Sequence, residues 1–150
     1  FGTPIAMNLV KPEHDKLWSP GEHTGTFRGQ NFSFIAGRIG LDYFRDDALM
    51  KEVARKGEII RECLQGLADK HASLGFQVRG KGMMQALDMR DGALAKAVAG
   101  NCYTLGLIIG PCGTGGKVIK VIPPLTIPDD DLSEGLGLLE KAINDAVEAS

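Results

Sequence analysis

A glycine-rich loop with two hydroxyl side chains and one cation holds the residue types best suited to chemistry in this sequence. Residues 23–29 read HTGTFRG and lead directly into a predicted helix that begins at Asn31. Backbone N–H groups, the Thr26 hydroxyl and the positive end of the helix dipole together suit a phosphate or a carboxylate. The alternative is an ordinary loop in which Thr24 and Thr26 only satisfy backbone groups. On these residues alone we favour the ordinary loop.

A lysine inside an apolar strand is the second candidate. Lys120 stands among β-branched neighbours in the run VIKVI. A cation in that position could hold a substrate carboxylate, but such a lysine more often lies on the solvent face of a half-exposed strand. Arg79, in a strand predicted at 76–80, allows the same two interpretations. For both residues the sequence alone favours the solvent face.

Two glycine-rich segments look like nucleotide-binding motifs but fail on their spacing. In residues 110–117 (GPCGTGGK), Pro111 stands where a phosphate-binding loop has its first glycine, and Val118 follows the lysine where that loop needs Ser or Thr. A strand is predicted next, so no helix N-terminus faces the loop, and we predict a hairpin turn. The Gly-Lys-Gly at 80–82 fails as a dinucleotide fingerprint because Gln85 occupies the third glycine position.

The composition is that of an ordinary globular domain. Of 150 residues, 43% are apolar, and 17 basic residues against 19 acidic ones give a net charge of −2. This argues against a disordered chain and against a basic nucleic-acid surface. No apolar run approaches the roughly 18–20 residues of a membrane helix. The three cysteines are odd in number and widely spaced, which indicates neither a disulfide framework nor a metal site. Reduced thiols and a cytoplasmic location are expected.

Apolar periodicity and turn residues divide the chain into the elements that must position these candidates. The helix over 47–71 carries an apolar stripe on one face and charged residues on the other, as a helix lying on a domain surface does. The sequence predicts that helices come first and that an α+β unit with about four strands covered by helices follows. The predicted helices are 31–45, 47–71, 93–105 and one that begins near 129; the predicted strands are 4–10, 76–80, 83–89, 106–110 and 117–122.

Four segments resemble the class-III pyridoxal-phosphate aminotransferases, in the order in which that family has them. They are residues 2–7 (GTPIAM), 23–29 (HTGTFRG), 78–84 (VRGKGMM) and 119–127 (IKVIPPLTI). Together they extend over most of the chain, and their order is more specific than any one of them.

The resemblance implies the α/β architecture of the fold type I transferases. Residues 1–45 would end the large cofactor-binding domain, 46–72 would form a connecting helix, and 73–150 would form a small C-terminal α+β domain. The lysine that holds the cofactor in this family would lie upstream of Phe1, so we expect a C-terminal part that is inactive alone.

The resemblance also assigns roles to single residues. Thr26, with Gly25, matches the family position that binds the phosphate of pyridoxal 5'-phosphate. Because this loop reaches the neighbouring subunit's cofactor in the family, at least a homodimer is implied. Lys120 stands where the family has an arginine that holds the α-carboxylate of the substrate. No catalytic residue of this chain is implied, and no metal.

The resemblance implies amino-acid and oxo-acid substrates. Glutamate would donate the amino group and aspartate 4-semialdehyde would receive it. The alternatives are another ω-aminotransferase of the class, acting on ornithine, acetylornithine or 4-aminobutyrate, or a non-catalytic module that binds a partner through its helices. Neither nucleic acid nor a membrane is expected as a partner.

Overall fold

The computed structural model describes residues 3–25 and 29–150, and the chain divides into two compact units, residues 1–48 and 49–150. In the first unit the helices are α1 (Pro12–Asp15) and α2 (Asn31–Asp42). The strand predicted at 4–10 is wrong, because these residues pair with no other strand in the described part of the chain.

Helix α2 begins where a glycine turns the chain. Gly29 has φ +82°, and a Cβ there would lie 2.6 Å from Cζ of Phe34, so both the backbone and the space require glycine. The Ser33 hydroxyl donates to the Pro4 carbonyl at 3.3 Å and to Oε1 of Gln30 at 2.9 Å. These bonds connect the start of α2 to the segment at Pro4.

Helix α2 carries an apolar stripe that is exposed. Its large members, Phe32, Ile35, Ile39 and Tyr43, are all about half exposed or more, up to 72% at Phe32. The buried residues of α2 are Ser33 and Gly40. The rest of the first unit, as far as it is described, therefore does not cover this face.

Three helices and four short strands form the second unit. The elements are α3 (Ala48–Lys70), β1 (Gln77–Lys81), β2 (Met84–Asp88), α4 (Gly92–Thr104), β3 (Pro111–Cys112), β4 (Val118–Val121) and α5 (Asp129–Glu148). The strands are all antiparallel to their neighbours in the sheet, in the order β1-β2-β4-β3. The helices predicted from periodicity are confirmed to within a few residues. The strand predicted at 106–110 is wrong, since β3 comprises only the two residues that follow it.

The core of the second unit lies between one face of the sheet and the helices. The apolar stripe of α3 is buried at Ile60 and Leu64, both at 0% exposure. Helix α5 buries Leu139 and Ile143, at 1% and 0% exposure. These residues belong to one continuous cluster that includes the strand residues of β2 and β4. Full burial of each large aliphatic side chain stabilises the fold by about 1.5–3 kcal/mol.

The turn between β1 and β2 packs tightly on α3. A Cβ at Gly57 would lie 2.7 Å from the carbonyl carbon and oxygen of Gly82. One turn further along α3, Nη2 of Arg61 donates to the Gly80 carbonyl at 3.1 Å. Helix α3 thus fixes the position of the hairpin, and the sheet with it.

The glycine-rich segment before β4 is a turn. Gly113, Gly115 and Gly116 all have positive φ, between 63° and 74°, and a short 3-10 turn occupies Thr114–Gly116. A strand follows, as predicted, so the hairpin turn is confirmed and no helix N-terminus faces this loop.

Candidate functional site

The loop that precedes α2 is a turn closed by its own side chains. The Glu22 carboxylate accepts from the Ser19 backbone N–H at 2.6 Å, and the Thr24 hydroxyl donates to the Gly21 carbonyl at 3.4 Å. Gly21 has φ +92°, the left-handed region that favours glycine. Gly25 follows the turn and is exposed. Thr26 lies outside the described residues, so its predicted phosphate-binding role stays a prediction.

The first turn of α2 is chemically suited to an anion. The side chain of its N-cap residue, Gln30, accepts no capping bond from a backbone N–H of the helix, and the first turn holds no acidic residue. The backbone N–H groups at a helix start attract anions through the helix dipole and their own unmatched donors. Gly25 stands a few residues upstream of that helix start.

Lys120 lies on the open face of the sheet in the second unit. Its neighbours Ile119 and Val121 are buried in the core, at 0% and 8% exposure, whereas Lys120 is exposed. Antiparallel pairing places Lys120 opposite Ala86 on β2. The small Ala86 side chain leaves the space beside the lysine open. The exposure of Lys120 agrees with the interpretation that it lies on the solvent face of the strand. Its role in binding a carboxylate stays a prediction.

Arg79 shares that face. The register pairs Arg79 with Ala86 and Ala86 with Lys120, so the two cations lie on either side of one alanine. The Arg79 guanidinium is 3.7 Å from Oδ2 of Asp88, and its side chain is 60% exposed. Its charge therefore has a partner on the neighbouring strand, and Lys120 is the better candidate for a ligand.

An apolar groove of about 600 Å³ runs beside Lys120. Its walls are the segment 107–112, the chain that follows β4 at 122–127, and the first turns of α5. Lys120 and Asp131 are the charged residues of its lining. The sequence analysis did not find this groove, because three segments between residues 107 and 139 form it only when they pack together.

A cluster of charged side chains joins α3 to the start of α5. Nη2 of Arg55 donates to the Asp129 carboxylate at 2.7 and 2.9 Å and to Oε2 of Glu52 at 2.8 Å. The Arg55 guanidinium lowers the pKa of both carboxyls below their usual values, and the two carboxylates raise the pKa of Arg55. Beside it, Nζ of Lys56 donates to the Ile127 carbonyl. Sequence reasoning treated this helix face as solvated and missed the cluster.

The cysteines of the second unit are packing residues or half-buried thiols. Cys102 is fully buried and Cys63 is half-buried, and burial raises the pKa of both thiols above the usual value. A raised pKa keeps a thiol protonated and unreactive at neutral pH. Among residues 3–25 and 29–150, no group of three or more His, Cys, Asp or Glu side chains could hold a metal ion.

No helix in the described ranges has both the length and the apolar character needed to cross a membrane.

Solved structures define the class of protein. An ornithine aminotransferase from Toxoplasma gondii matches with a TM-score of 0.78 over 91% of this chain and 32% of its own, at 24% identity. An acetylornithine aminotransferase from Elizabethkingia anophelis matches with a TM-score of 0.74 over 87% of this chain and 34% of its own, at 26% identity. The chain therefore has an aminotransferase fold, with the mixed α/β architecture of fold type I.

The sequence comparison narrows the class to one family. The family described as Aminotransferase class-III matches residues 1–143, and the chain belongs to it. The diaminobutyrate–2-oxoglutarate transaminase of Wolinella succinogenes is 40% identical over 146 residues, which are 97% of this chain and 34% of that protein. The enzyme of the same name from Marinococcus halophilus is 42% identical over 149 residues, which are 99% of this chain and 35% of that protein. The chain thus spans about a third of the length of these relatives.

Family membership brings a cofactor with it. Class-III aminotransferases are pyridoxal-phosphate enzymes, so the cofactor predicted from the resemblance is confirmed at the level of the family. The described residues fit the phosphate end of this cofactor, because a glycine-rich turn leads into a helix start without an acidic side chain. The expected position of the cofactor lysine, upstream of Phe1, stays a prediction.

Proposed function

We propose that this chain is the C-terminal part of an aminotransferase that makes L-2,4-diaminobutyrate. L-Glutamate gives its amino group to L-aspartate 4-semialdehyde, which leaves 2-oxoglutarate and L-2,4-diaminobutyrate, the amino acid used in ectoine biosynthesis. The observation that carries the proposal is about 40% identity, across nearly the whole chain, to two relatives named for this reaction. Since the chain covers a third of those relatives, the activity belongs to the whole protein.

The loop before α2 would bind the cofactor phosphate. Thr26 would donate its hydroxyl, and the backbone at Gly25 would approach the phosphate closely because glycine has no Cβ. The neighbouring start of α2, with no acidic residue in its first turn, adds favourable potential for a dianion. We propose that this loop serves the cofactor of a second subunit, so that the enzyme is at least a homodimer. A cytoplasmic location is part of the same proposal.

Lys120 would hold a substrate carboxylate at the open face of the sheet. It is exposed, and the groove beside it is otherwise mainly apolar, so an anion there would meet little competing negative charge other than Asp131. A lysine offers a point charge on a flexible stem where an arginine offers a planar two-pronged donor. Lys120 would therefore bind and orient the carboxylate without fixing its plane. Pyridoxal 5'-phosphate would supply the electron-withdrawing ring that makes amino transfer possible.

A second function from the same family is favoured by the solved structures. Two of the structures that match this fold are named for ornithine and acetylornithine, which are also ω-amino acids. Their sequence identity to this chain is 24–26%, well below the 40–42% identity of the diaminobutyrate enzymes. The proposed connecting helix at 46–72 and the small domain at 73–150 would be the same in either case.

The test is a comparison of amino donors with the full-length enzyme. The purified protein is loaded with cofactor and given 2-oxoglutarate and, in turn, 2,4-diaminobutyrate, ornithine, acetylornithine or 4-aminobutyrate. We expect the highest kcat/KM with 2,4-diaminobutyrate. A higher value with ornithine, acetylornithine or 4-aminobutyrate would replace the proposal with the second function, and no transfer with any donor would favour a binding module.

Matched variants separate Lys120 from general effects of charge. Lys120→Met removes a hydrogen bond to a charged group, worth about 1.5–3 kcal/mol, which predicts a loss of about 10- to 100-fold in kcat/KM. Lys96→Met removes an exposed lysine from α4 and should leave kcat/KM unchanged. Equal kinetics for both variants would remove Lys120 from the proposed site.

A further inference from the structure

A buried lysine on α3 has no role in the proposed reaction. Lys56 is 7% exposed, whereas Lys51 and Lys70 on the same helix are exposed. Removing an ammonium group from water costs several kcal/mol unless partners replace the lost hydration. The partners of Lys56 are the Ile127 carbonyl, to which Nζ donates, and Asp129, whose Oδ1 is 3.7 Å away.

These partners lie in the segment that follows Lys120. Strand β4 ends at Val121, and residues 122–128 form no helix or strand. Inside the segment, the Ile127 N–H donates to the Pro124 carbonyl at 3.0 Å and closes a turn. Lys56 therefore binds the far end of this turn, while Arg55 binds Asp129 with two hydrogen bonds at 2.7 and 2.9 Å.

The same segment is one wall of the groove that Lys120 lines. Residues 122–124 and Ile127 contribute to that wall, and Asp131 of α5 stands beside it. The sheet fixes the segment at its start through β4, and Lys56 and Arg55 fix it at its end. Helix α5 also anchors this end, since it begins at Asp129, and the bonds from Lys56 and Arg55 add side-chain contacts that hold the turn against α3.

We propose that Lys56, assisted by Arg55, is a positioning residue for substrate binding: it holds the 122–128 segment in place beside Lys120. The inference rests on the proposed role of Lys120 in binding a substrate carboxylate. Lys56 itself touches neither substrate nor cofactor. Its loss leaves the Ile127 carbonyl without its donor, so the wall moves and substrates bind less well, while bound substrate still reacts.

The experiment uses the full-length enzyme with Lys56→Met, which keeps most of the length of the side chain and removes its charge. We expect KM for the amino donor and for 2-oxoglutarate to rise about five- to tenfold, with kcat within about twofold of the unaltered enzyme. Hydrogen–deuterium exchange in peptides covering 122–128 should accelerate. Lys51→Met, on the exposed face of the same helix, is the control and should change none of these quantities.

A second variant guards against a fold that does not tolerate Lys56→Met. Asp129→Asn removes the shared carboxylate at a site whose side chain is 59% exposed, so the protein should fold. We expect the same pattern with a smaller rise in KM. Unchanged KM values in the soluble variants, with only a lower unfolding midpoint, would overturn the proposal and leave Lys56 as a structural residue.

The amino-donor comparison keeps the two proposals apart. If the unaltered enzyme prefers a donor other than 2,4-diaminobutyrate, the proposed function fails, and Lys56→Met is judged with the preferred donor by the same KM and exchange criteria. If 2,4-diaminobutyrate is preferred and Lys56→Met leaves its KM unchanged, the positioning role fails and the proposed function stands.

Discussion

Adding a single methyl group to α3 tests how closely this helix packs on the hairpin. In Gly57→Ala the new Cβ would lie 2.7 Å from the Gly82 carbonyl carbon and oxygen. Carbon atoms in van der Waals contact are about 3.5–4.0 Å apart, so helix and turn must separate by about 1 Å at this point. The helix backbone fixes the position of the new Cβ, and the atoms of Gly82 that it meets are backbone, so neither side can rotate out of the way as a long side chain can.

The expected cost follows from two opposing effects. Alanine is favoured over glycine inside a helix by about 1 kcal/mol, which stabilises the variant. Overpacking of a close contact destabilises by about 1–3 kcal/mol, and rigid atoms on both sides place this case at the upper end. We therefore expect Gly57→Ala to be less stable than the unaltered protein by about 1–2 kcal/mol.

The control lies nine residues away on the same helix. Gly66 is exposed, and nothing lies within 4 Å of a Cβ built there, so Gly66→Ala should gain the propensity term alone, about 1 kcal/mol. Urea unfolding followed by circular dichroism at 222 nm suits the comparison, because the long helices all lie in the second unit apart from α2. A difference of 2–3 kcal/mol between the variants separates their midpoints by about 1 M or more.

Equal midpoints for Gly57→Ala and Gly66→Ala would refute the reasoning. They would mean that α3 and the turn at Gly82 are further apart than the structure has them, or that the turn yields without cost.

Three further outcomes are expected. Hydrogen bonding to Arg55 lowers the pKa of Asp129 in the folded protein. The ionised Asp129 therefore stabilises the fold above its unfolded pKa, and this stabilisation disappears as pH falls through its folded pKa. By urea midpoints, Asp129→Asn should be less stable than the unaltered protein at pH 7 and equally stable in strong acid. In native protein a thiol reagent should label half-buried Cys112 but not Cys102 until urea unfolds the chain, by peptide mass spectrometry. Thr26→Ala should weaken cofactor binding in the full-length enzyme about 10- to 100-fold by absorbance titration, whereas Thr24→Ala, which loses a bond within its own turn, should not.

Each of these outcomes has a contrary result that would count against it. An Asp129→Asn variant that stays less stable in strong acid, where the Asp129 carboxyl is protonated in the folded protein too, would show that its effect is not ionic. Rapid labelling of Cys102 in native protein would contradict its full burial. Equal cofactor affinity in the two threonine variants would remove Thr26 from the phosphate site.

Helix periodicity predicted the second unit well because its helices bury their apolar stripes within the unit. The stripe on α3 at Ile60, Leu64 and Leu67 is buried as its spacing predicts. On α2 the same kind of stripe is exposed at Phe32 and Ile35. Spacing shows which face of a helix is apolar, but what covers that face is decided by other segments.

The wrong strand at 106–110 has a different cause. Its run GLIIG has the composition of a buried strand, but a strand also needs a partner in register. The neighbouring strand, β4, pairs through Val118 and Ile119, and their partners are Cys112 and Pro111, which follow the predicted strand. The apolar residues before Pro111 lie along the groove instead.

The position of Lys56 in the helix did contain a signal. It lies three residues after Val53 and four before Ile60, so helical spacing places it beside the apolar stripe and not on the charged face. A lysine at such a position must extend to solvent or find buried partners. Which of the two occurs depends on Ile127 and Asp129, which lie more than 70 residues away in the chain, and no local pattern reveals them.

The two proposed binding residues, Thr26 and Lys120, belong to different units of the chain, and this makes their roles separable. Gly25 and Thr26 belong to residues 1–48, and Lys120 belongs to residues 49–150. If the first binds phosphate and the second binds a substrate carboxylate, changing one should not change the quantity that reports on the other. Thr26→Ala at saturating cofactor should keep the substrate KM, and Lys120→Met should keep the cofactor affinity. A variant that altered both quantities together would indicate loss of structure and not loss of a contact.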